Sequence, residues 1–349
     1  KFFLHTGLMS MDPSNGHIKS YVGGINHKHF KYDHVRSGKR QVGSTFKPFL
    51  YSLAIQEGMS PCDHIRNVPV VFDAKKWGLP EDWIPSNATP VFDTLKNPLE
   101  LQFGLANSIN VVTAHIMSQY GPEAVVDLAK RMGVYSKLEA VPSLCLGTFD
   151  MSVFEMVGSY STFVNQGIHT EPIFITKITD KNGVVLQDFT AKTHEAISEK
   201  TAAIMVKLLQ GVVDGVYNNE MKKTRGTGMS LRSRYNLNAE IGGKTGTTQN
   251  KSDGWFIGIT PKLVTGVWVG CEDRAAHFRT LTYGSGSYMA LPIFGNYMKN
   301  IYLDKSIKNI SQNERFKYSS LELQDLVNKE FNCHQNDLQE NYSEETEEF

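Results

Sequence analysis

Strand-like segments lie near both ends of this chain, separated by a long block of helical pattern. Residues 2–24 read FFLHTGLMSMDPSNGHIKSYVGG, two apolar runs joined by the turn sequence DPSNG. Residues 240–270 predict strand, loop, strand, turn and strand. We therefore predict an α/β fold of the α+β type, with a central antiparallel sheet built from both ends and helices packed on both faces.

The block between the strands is predicted to be mainly helical, because its apolar residues recur at helical spacing between capping serines and terminal glycines. The predicted helices cover residues 44–58, 98–120, 121–133, 151–167, 198–216 and 287–302. Polar or irregular loops are expected at 26–40 and 67–92, and a hairpin at 170–189 around the sequence DKNG.

Composition argues against several classes of function. The 349 residues include 36 basic and 36 acidic side chains, so no overall field attracts nucleic acid. The alternative, a nucleic-acid patch formed by His27, Lys28, His29 and Arg36, is opposed by this balance. No run of about 18 apolar residues is present that would span a membrane. The first residues, KFFLHTGLMSMD, lack an initiator methionine, and we interpret the chain as a piece of a longer protein.

The cysteines predict neither a metal site nor a cofactor. Cys62, Cys145, Cys271 and Cys333 form no CxxC pair and have no metal-ligand spacing. We expect them to be buried thiols, which leave the redox compartment open.

The apolar pattern fades after about residue 310. Residues 336–349, NDLQENYSEETEEF, are strongly acidic. We expect 306–349 to be a C-terminal extension that ends in a disordered tail.

A Ser-x-x-Lys pattern stands at the start of the first predicted helix, within GSTFKPFLYSLA. Ser44 and Lys47 are three residues apart, so their side chains share one face of a helix. A serine becomes a good nucleophile when an adjacent base takes its proton, and a lysine can do so only when neutral. Burial or a nearby cation lowers a lysine pKa enough for this role.

A second polar pattern, Ser108-x-Asn110, interrupts the small and apolar stretch FGLANSINVVTAHI. One interpretation is a serine–asparagine loop or cap between two helices. The other makes Ser108 a proton relay and Asn110 a donor to a substrate amide.

A third pattern, GGKTGT at residues 242–247, predicts a strand that lines a cleft. Its glycines, Gly246 among them, would let a substrate backbone approach and pair with the strand. Lys244 would place a positive charge near Lys47 and near a substrate carboxylate. Thr245 and Thr247 would offer hydroxyls to the same carboxylate. The alternative is a glycine-rich hairpin with an exposed lysine; a phosphate loop is excluded by the spacing.

Together and in this order, the three patterns are those of penicillin-binding proteins and serine β-lactamases. The chain resembles the transpeptidase domain of a class A (bifunctional) penicillin-binding protein over about residues 5–305, taken here as the domain 1–305. The segments that carry the resemblance are MDPSNGHIKSYVGG, RQVGSTFKPFLYSLAIQEGMSP, SLCLGTFDMSVFEMVGSYSTFVNQG, GGKTGTTQNKSDGWFIG and ALPIFGNYMKNIY.

The resemblance implies a serine β-lactamase/D,D-peptidase-like fold and a peptidoglycan D,D-transpeptidase. Ser44 would be the nucleophile towards a D-Ala-D-Ala stem peptide, and Lys47 its base. Ser108 would pass a proton to the leaving amine, Asn110 would hold the substrate amide, and Lys244 would support both the low pKa and the substrate carboxylate. Backbone N–H groups of Ser44 and Thr247 would form the oxyanion hole.

The resemblance also implies partners and a location. The partners would be donor stem peptides, an acceptor amine and β-lactam antibiotics, which acylate the same serine. Class A members carry a glycosyltransferase domain ahead of this one, and that part would hold the membrane anchor. We therefore expect the domain on the periplasmic face of the bacterial inner membrane.

Three related functions are alternatives to this interpretation. A β-lactamase needs a deacylating base, and no ExxLN sequence lies between Ser108 and Lys244. A D,D-carboxypeptidase would use the same residues with water as acceptor. A β-lactam-sensing receptor domain would be acylated without cross-linking any peptide.

Overall fold

The computed structural model describes residues 2–333 as an antiparallel sheet with helices packed against it. Its strands are β1 His5–Met11, β2 Ile18–Val22, β3 Arg40–Gln41, β4 His64–Ile65, β5 Leu99–Glu100, β6 Asp150–Met151, β7 Ile168–Thr170, β8 Lys177–Thr179, β9 Val185–Asp188, β10 Thr193–Glu195, β11 Val216–Asn218, β12 Lys223–Arg225, β13 Gly242–Thr247, β14 Asp253–Ile259 and β15 Val264–Gly270. Its α-helices are α1 Lys47–Gln56, α2 Ala74–Trp77, α3 Leu101–Ala106, α4 Asn110–Tyr120, α5 Pro122–Arg131, α6 Val153–Val164, α7 Glu199–Asp214, α8 Ser230–Ser233, α9 Leu281–Gly284, α10 Gly286–Met289, α11 Leu291–Leu303 and α12 Leu321–Glu330.

The main sheet has five strands in the order β13-β14-β15-β1-β2, and every neighbouring pair is antiparallel. β1 pairs with β15 from His5 opposite Gly270 to Met11 opposite Val264. The Thr6 hydroxyl adds a 2.7 Å hydrogen bond to the carbonyl of Trp268. The predicted sheet built from both ends of the sequence is confirmed.

Helices cover both faces of this sheet, as predicted. Neighbouring strand residues point to opposite faces, so Phe256 packs against Phe294 of α11 while Ile257 joins the core on the side of α6. A side chain at Gly266 would meet Val157 of α6 at 2.6 Å, which shows how closely that helix packs on β15. The sheet is therefore buried on both sides, and its strand β13 can form a wall of a cleft.

Two predicted helices are divided in the structure. The region 98–120 contains α3 and α4, separated at Ser108, whose φ of +58° is incompatible with a continuous right-handed helix. The region 287–302 contains α10 and α11. The interpretation of Ser108-x-Asn110 as a loop or cap between two helices matches the first break, whereas the apolar periodicity continues across the second and did not locate it.

The predicted loops and hairpin are largely as expected. The region 67–92 is an irregular loop that contains α2 and an isolated bridge between Phe72 and Trp83. The hairpin around DKNG is formed by β8 and β9, whereas β7 pairs with β10 instead.

The C-terminal extension contains a helix that the fading apolar pattern did not predict. Ser320 caps α12 by accepting a 3.1 Å hydrogen bond from the N–H of Leu323. The helix packs on α7, where Lys200 forms a 2.8 Å ion pair with Glu330. Val327 is the only buried residue among its ten described positions, so its apolar stripe is minimal. The predicted acidic tail, 336–349, lies outside the described residues.

A disulfide joins Cys62 to Cys333 across 271 residues. The prediction of four buried thiols was therefore wrong for these two cysteines and right for Cys145 and Cys271, which are buried and free. The bond ties the extension to the segment before β4. No helix within residues 2–333 has the length and apolar content needed to cross a membrane.

Candidate active site

Ser44 lies on a short 3-10 helix, Gly43–Phe46, that leads directly into α1. It is half-buried and lines a cleft of about 920 Å³. Ser108, Asn110, Thr245 and Thr247 line the same cleft. The structure thus brings the three sequence patterns together around one cavity.

The turn that carries Ser44 is fixed by its neighbours on both sides. Gly43 has a φ of +54°, and a side chain there would lie 2.7 Å from the carbonyl oxygen of Thr247. Trp255 donates a 2.8 Å hydrogen bond from its ring N–H to the carbonyl of Gln41. Tyr160 donates a 2.5 Å hydrogen bond to the carbonyl of Thr45. These contacts hold the turn that carries Ser44 next to the backbone of Thr247. They do not use the side chains of Ser44 and Thr247.

Lys47 is the first residue of α1 and is completely buried. Its Nζ donates 2.7 Å hydrogen bonds to the carbonyl of Ser108 and to Oδ1 of Asn110. Within the described residues these bonds lead to the Ser108–Asn110 segment and not to Ser44. Burial lowers the pKa of Lys47 to about 7, against an opposing effect of Cys145. A large fraction of Lys47 is therefore neutral near pH 7 and able to accept a proton.

Ser108 contacts both buried lysines of the site. Its carbonyl accepts from Lys47, and its Oγ accepts a 2.9 Å hydrogen bond from Nζ of Lys244. The left-handed backbone at Ser108 turns the carbonyl and the hydroxyl towards these two groups. A serine in this conformation costs of the order of 1 kcal/mol or more, and such strain is concentrated at functional sites.

Asn110 is the first residue of α4 and is held by its own hydrogen bonds. Its Oδ1 accepts from Lys47, and its Nδ2 donates 2.7 Å to the carbonyl of Ser86. The backbone N–H groups of Asn110 and Val111 both donate to Oδ1 of Asn87, at 2.9 and 3.1 Å. One hydrogen of Nδ2 is thus used within the protein, which leaves the other for a substrate.

Lys244 lies beneath the cleft surface on β13 and is completely buried. The predicted exposed-hairpin alternative is therefore wrong. Its Nζ also donates 3.1 Å to the carbonyl of Thr245. Burial, and then the positive charge of Lys47, hold the pKa of Lys244 well below its usual range. Lys244 is thus near Lys47, as predicted.

The threonines of β13 present their side chains at the cleft. Thr245 donates a 2.9 Å hydrogen bond to the hydroxyl of Thr227, and Thr247 accepts a 3.0 Å bond from the N–H of Gly286. Thr227 was not predicted, because it belongs to a loop with no recognisable pattern.

The glycines of β13 are needed for packing inside the protein. A side chain at Gly246 would lie 2.7 Å from the carbonyl of Val42 and 2.8 Å from Thr45. Gly243 packs in the same way on Phe256. Gly246 thus allows the Ser44 turn to approach β13 closely, and the approach of a substrate backbone to these glycines stays a prediction.

The charged side chains that line the cleft are Arg225, Arg234 and Lys251. Sequence reasoning missed all three, since nothing in the sequence links them to the three motifs. No cluster of three metal-ligating side chains is found in residues 2–333.

This arrangement suits nucleophilic catalysis by a serine. A half-buried hydroxyl lies at a helix start, and a buried lysine with a lowered pKa follows one turn later. A second hydroxyl, on Ser108, accepts from Lys244, while the carbonyl of the same residue accepts from Lys47. The backbone at Gly43, directly before Ser44, packs closely against the backbone of Thr247.

Comparisons with known proteins agree with this geometry. The family model described as the penicillin binding protein transpeptidase domain matches residues 6–299. Penicillin-binding protein 1A of Aquifex aeolicus is 33% identical over 298 residues, which cover 85% of this chain and 38% of that protein. Penicillin-binding protein 2D of Bacillus subtilis is 33% identical over 272 residues, covering 78% of this chain and 38% of that protein. The chain thus spans 38% of the length of these relatives.

Solved structures show the same fold. The crystal structure of penicillin-binding protein 1A from Haemophilus influenzae has a TM-score of 0.76 at 25% identity, covering 88% of this chain and 49% of that one. PonA1 from Mycobacterium tuberculosis in complex with penicillin V has a TM-score of 0.70 at 25% identity, covering 91% of this chain and 81% of that one.

Proposed function

The chain belongs to the penicillin-binding protein transpeptidase domain family, and from this premise we propose that it cross-links peptidoglycan through an acyl-enzyme on Ser44. The donor is a stem peptide ending in D-Ala-D-Ala. The acceptor is an amine of a neighbouring stem. The observation that carries the proposal is Lys47, which is completely buried, has a pKa of about 7 and is hydrogen-bonded towards Ser108.

The first half of the reaction forms the acyl-enzyme. Neutral Lys47 takes the proton of Ser44 as the serine oxygen attacks the penultimate D-Ala carbonyl. Backbone N–H groups of Ser44 and Thr247 stabilise the oxyanion, an effect worth about 3–4 kcal/mol in serine enzymes. The C–N bond then breaks, and Ser108 delivers a proton to the leaving amine of the terminal D-Ala.

The second half transfers the acyl group. An amine attacks the ester carbon and loses a proton to the Lys47–Ser108 network. The bond between the acyl carbon and the Ser44 oxygen then breaks, and that proton returns to the oxygen. Asn110 holds the substrate amide through its free Nδ2 hydrogen. Lys244 acts through Ser108, because it is buried beneath the surface that the substrate contacts.

The carboxylate of the terminal D-Ala binds the hydroxyls of Thr245 and Thr247. Both side chains line the cleft. Thr247 accepts from the N–H of Gly286 and keeps its hydroxyl proton for the carboxylate, whereas Thr245 turns its proton from Thr227 to the carboxylate when the substrate binds. Gly246 contributes its close packing against the Ser44 turn. No metal or cofactor takes part in this scheme.

β-Lactams enter the same reaction as substrate mimics. Ring opening by Ser44 leaves an ester whose bulk keeps the acceptor amine away, so the adduct persists. PonA1, which has been solved with penicillin V, supports this extension to the present chain.

We place the domain, residues 1–305, and its extension, residues 306–349, outside the cytoplasm. The Cys62–Cys333 disulfide supports this location, since such bonds persist in oxidising compartments. A membrane anchor and a glycosyltransferase domain would belong to the longer protein.

The test is intact-protein mass after incubation with a penicillin, for the parent, Ser44→Ala and the control Ser118→Ala, an exposed serine outside the cleft. We expect one stable drug adduct on the parent and on the control, and none on Ser44→Ala. Consumption of the drug without an adduct would establish a β-lactamase instead. An intact drug with no adduct would leave only a binding domain.

Adduct formation does not distinguish the acyl acceptor, so a second measurement is needed. A donor peptide ending in D-Ala-D-Ala is supplied with and without an amine, and the products are separated by mass. Cross-linked product identifies the transpeptidase, while product released to water alone identifies a D,D-carboxypeptidase. An acylated protein that forms neither product would be a β-lactam sensor.

A further inference from the structure

We propose that the cleft selects stem peptides whose side carboxylates are free and discriminates against peptides in which the side carboxylates are amidated. The terminal carboxylate is free in both kinds of peptide. This inference rests on the proposed function and names the substrate class of the same site. It concerns three side chains that the acyl-transfer scheme does not use.

The cleft is cationic although the chain as a whole is neutral. Arg225, Arg234 and Lys251 line it, and no aspartate or glutamate among residues 2–333 does so. Over the whole sequence basic and acidic residues are equal in number, 36 of each. Charges of one sign along a concave wall focus a potential that attracts the opposite charge.

Arg225 is the most strongly positioned of the three. It is half-buried at the end of β12, and its guanidinium lies 5.3 Å from the ring centroid of Phe92. Its backbone carbonyl accepts a hydrogen bond from the side chain of Asn107, next to Ser108. Two residues further on, Thr227 contacts Thr245. Arg225 is thus anchored to both polar motifs of the cleft.

Lys251 and Arg234 occupy other parts of the wall. Lys251 lies in the turn between β13 and β14, with a φ of +62°, and its carbonyl accepts from the N–H of Phe278. Arg234 follows directly after α8. The positive charge is therefore contributed by separate segments that meet only at the cleft.

Within the described part of the chain, none of these three cations has an ion-pair partner, whereas nearby arginines do. Arg232 forms a 2.8 Å ion pair with Asp214, and Arg274 a 2.6 Å pair with Asp150. Cations at a cleft wall with no internal carboxylate are available to a ligand.

The chemistry of these groups favours carboxylates over amides. A guanidinium presents parallel N–H donors that match the two oxygens of a carboxylate, and a charged pair is about twice as strong as a neutral hydrogen bond. A carboxamide offers one acceptor oxygen, no charge, and N–H groups that repel a cation. Amidation of the stem therefore removes the attraction while leaving the scissile bond unchanged.

The experiment compares two synthetic stem peptides that end in D-Ala-D-Ala, one with free side carboxylates and one amidated. The rate of D-Ala release gives kcat/KM for the parent, Arg225→Gln and the control Arg131→Gln. Arg131 is an exposed arginine that does not line the cleft. We expect the parent to prefer the free peptide about tenfold or more, and high salt to reduce this preference.

Arg225→Gln should lower kcat/KM for the free peptide about tenfold, chiefly through KM, with a several-fold smaller loss for the amidated peptide. Arg131→Gln should behave like the parent. Equal rates on the two peptides in the parent, or equal losses on both in Arg225→Gln, would overturn the proposal.

A binding measurement separates this inference from the proposed reaction. Calorimetric titration of Ser44→Ala with each peptide requires no catalysis. Tighter binding of the free peptide supports carboxylate selection even if the parent releases no D-Ala, an outcome that would refute only the proposed reaction. Equal affinities, or no binding of either peptide, would refute the selection itself.

Discussion

The Nζ of Lys244 lies 2.9 Å from the Oγ of Ser108. The carbonyl of that serine accepts from Lys47, so a single residue separates two buried lysines. Burial lowers the pKa of both lysines, and the positive charge of Lys47 lowers that of Lys244 further. The pair is therefore suited to hold and release one proton as a substrate reacts.

Acylation should accelerate as pH rises through about 7. Lys47 acts as a base only when neutral, and its pKa of about 7 places the change there. We expect the second-order acylation rate with a chromogenic cephalosporin to rise about tenfold per pH unit below 7 and to level off above it. Lys47→Arg, which stays charged, should be roughly 10²–10⁴ times slower. A flat profile between pH 5 and 9 in the parent would show that Lys47 is not the base.

Substitutions of Ser108 should separate its backbone role from its hydroxyl. Ser108→Gly and Ser108→Ala both remove the acceptor of Lys244, so acylation should fall by about 10²–10⁴ in each. Only glycine tolerates the φ of +58° without strain, and we expect Ser108→Gly to be more stable than Ser108→Ala by about 1 kcal/mol. Urea unfolding gives the comparison. A more stable alanine variant would mean that this backbone relaxes freely.

Gly246→Ala should separate β13 from the Ser44 turn. The added methyl would lie 2.7 Å from the carbonyl of Val42, and overpacking of this kind costs about 1–3 kcal/mol. We expect a lower melting temperature and slower penicillin acylation. Gly24→Ala is the matched control, because its nearest neighbour would be 3.5 Å away. Normal acylation in Gly246→Ala would show that the turn tolerates displacement.

Reduction of the Cys62–Cys333 disulfide should release the C-terminal extension before it affects the cleft. The bond closes a very long loop, for which about 2–4 kcal/mol of stabilisation is typical. Limited proteolysis with and without a reductant should show new cleavage near α12, with penicillin acylation retained. Cys271→Ser, which removes a free thiol, should leave the cleavage pattern unchanged. Equal protection in both redox states would show that packing on α7 suffices.

Local pattern was enough to predict the sheet and the three motifs. Turn chemistry and period-two apolar runs marked the main strands. The spacing of Ser44 and Lys47 placed both at one helix start, since that relationship is local. These features depend on neighbours a few residues away, which a single sequence contains.

Partners that come from distant loops were not predictable. Asn87, which holds Asn110, and Thr227, which contacts Thr245, belong to segments without a periodic pattern. The sequence offered a loop or cap at Ser108 as one interpretation, but the left-handed backbone at this residue has no local signal, since a serine rarely adopts it. The Cys62–Cys333 pairing was not predicted because Cys333 follows α12. That helix buries one side chain, so its apolar periodicity was too weak to predict it.

The pairing of β1 with β15 also delays completion of the sheet during synthesis, because β1 is made long before its partner. Thr6 and Trp268 are 262 residues apart, so at typical synthesis rates roughly 15–50 seconds pass before β1 can meet its partner. Until then an apolar strand containing Met9 and Met11 has an unpaired edge. Such an edge invites pairing with other chains, and non-local pairing is slow even once both strands exist. Truncation before residue 264 would remove the partner of β1 altogether and leave that apolar edge exposed.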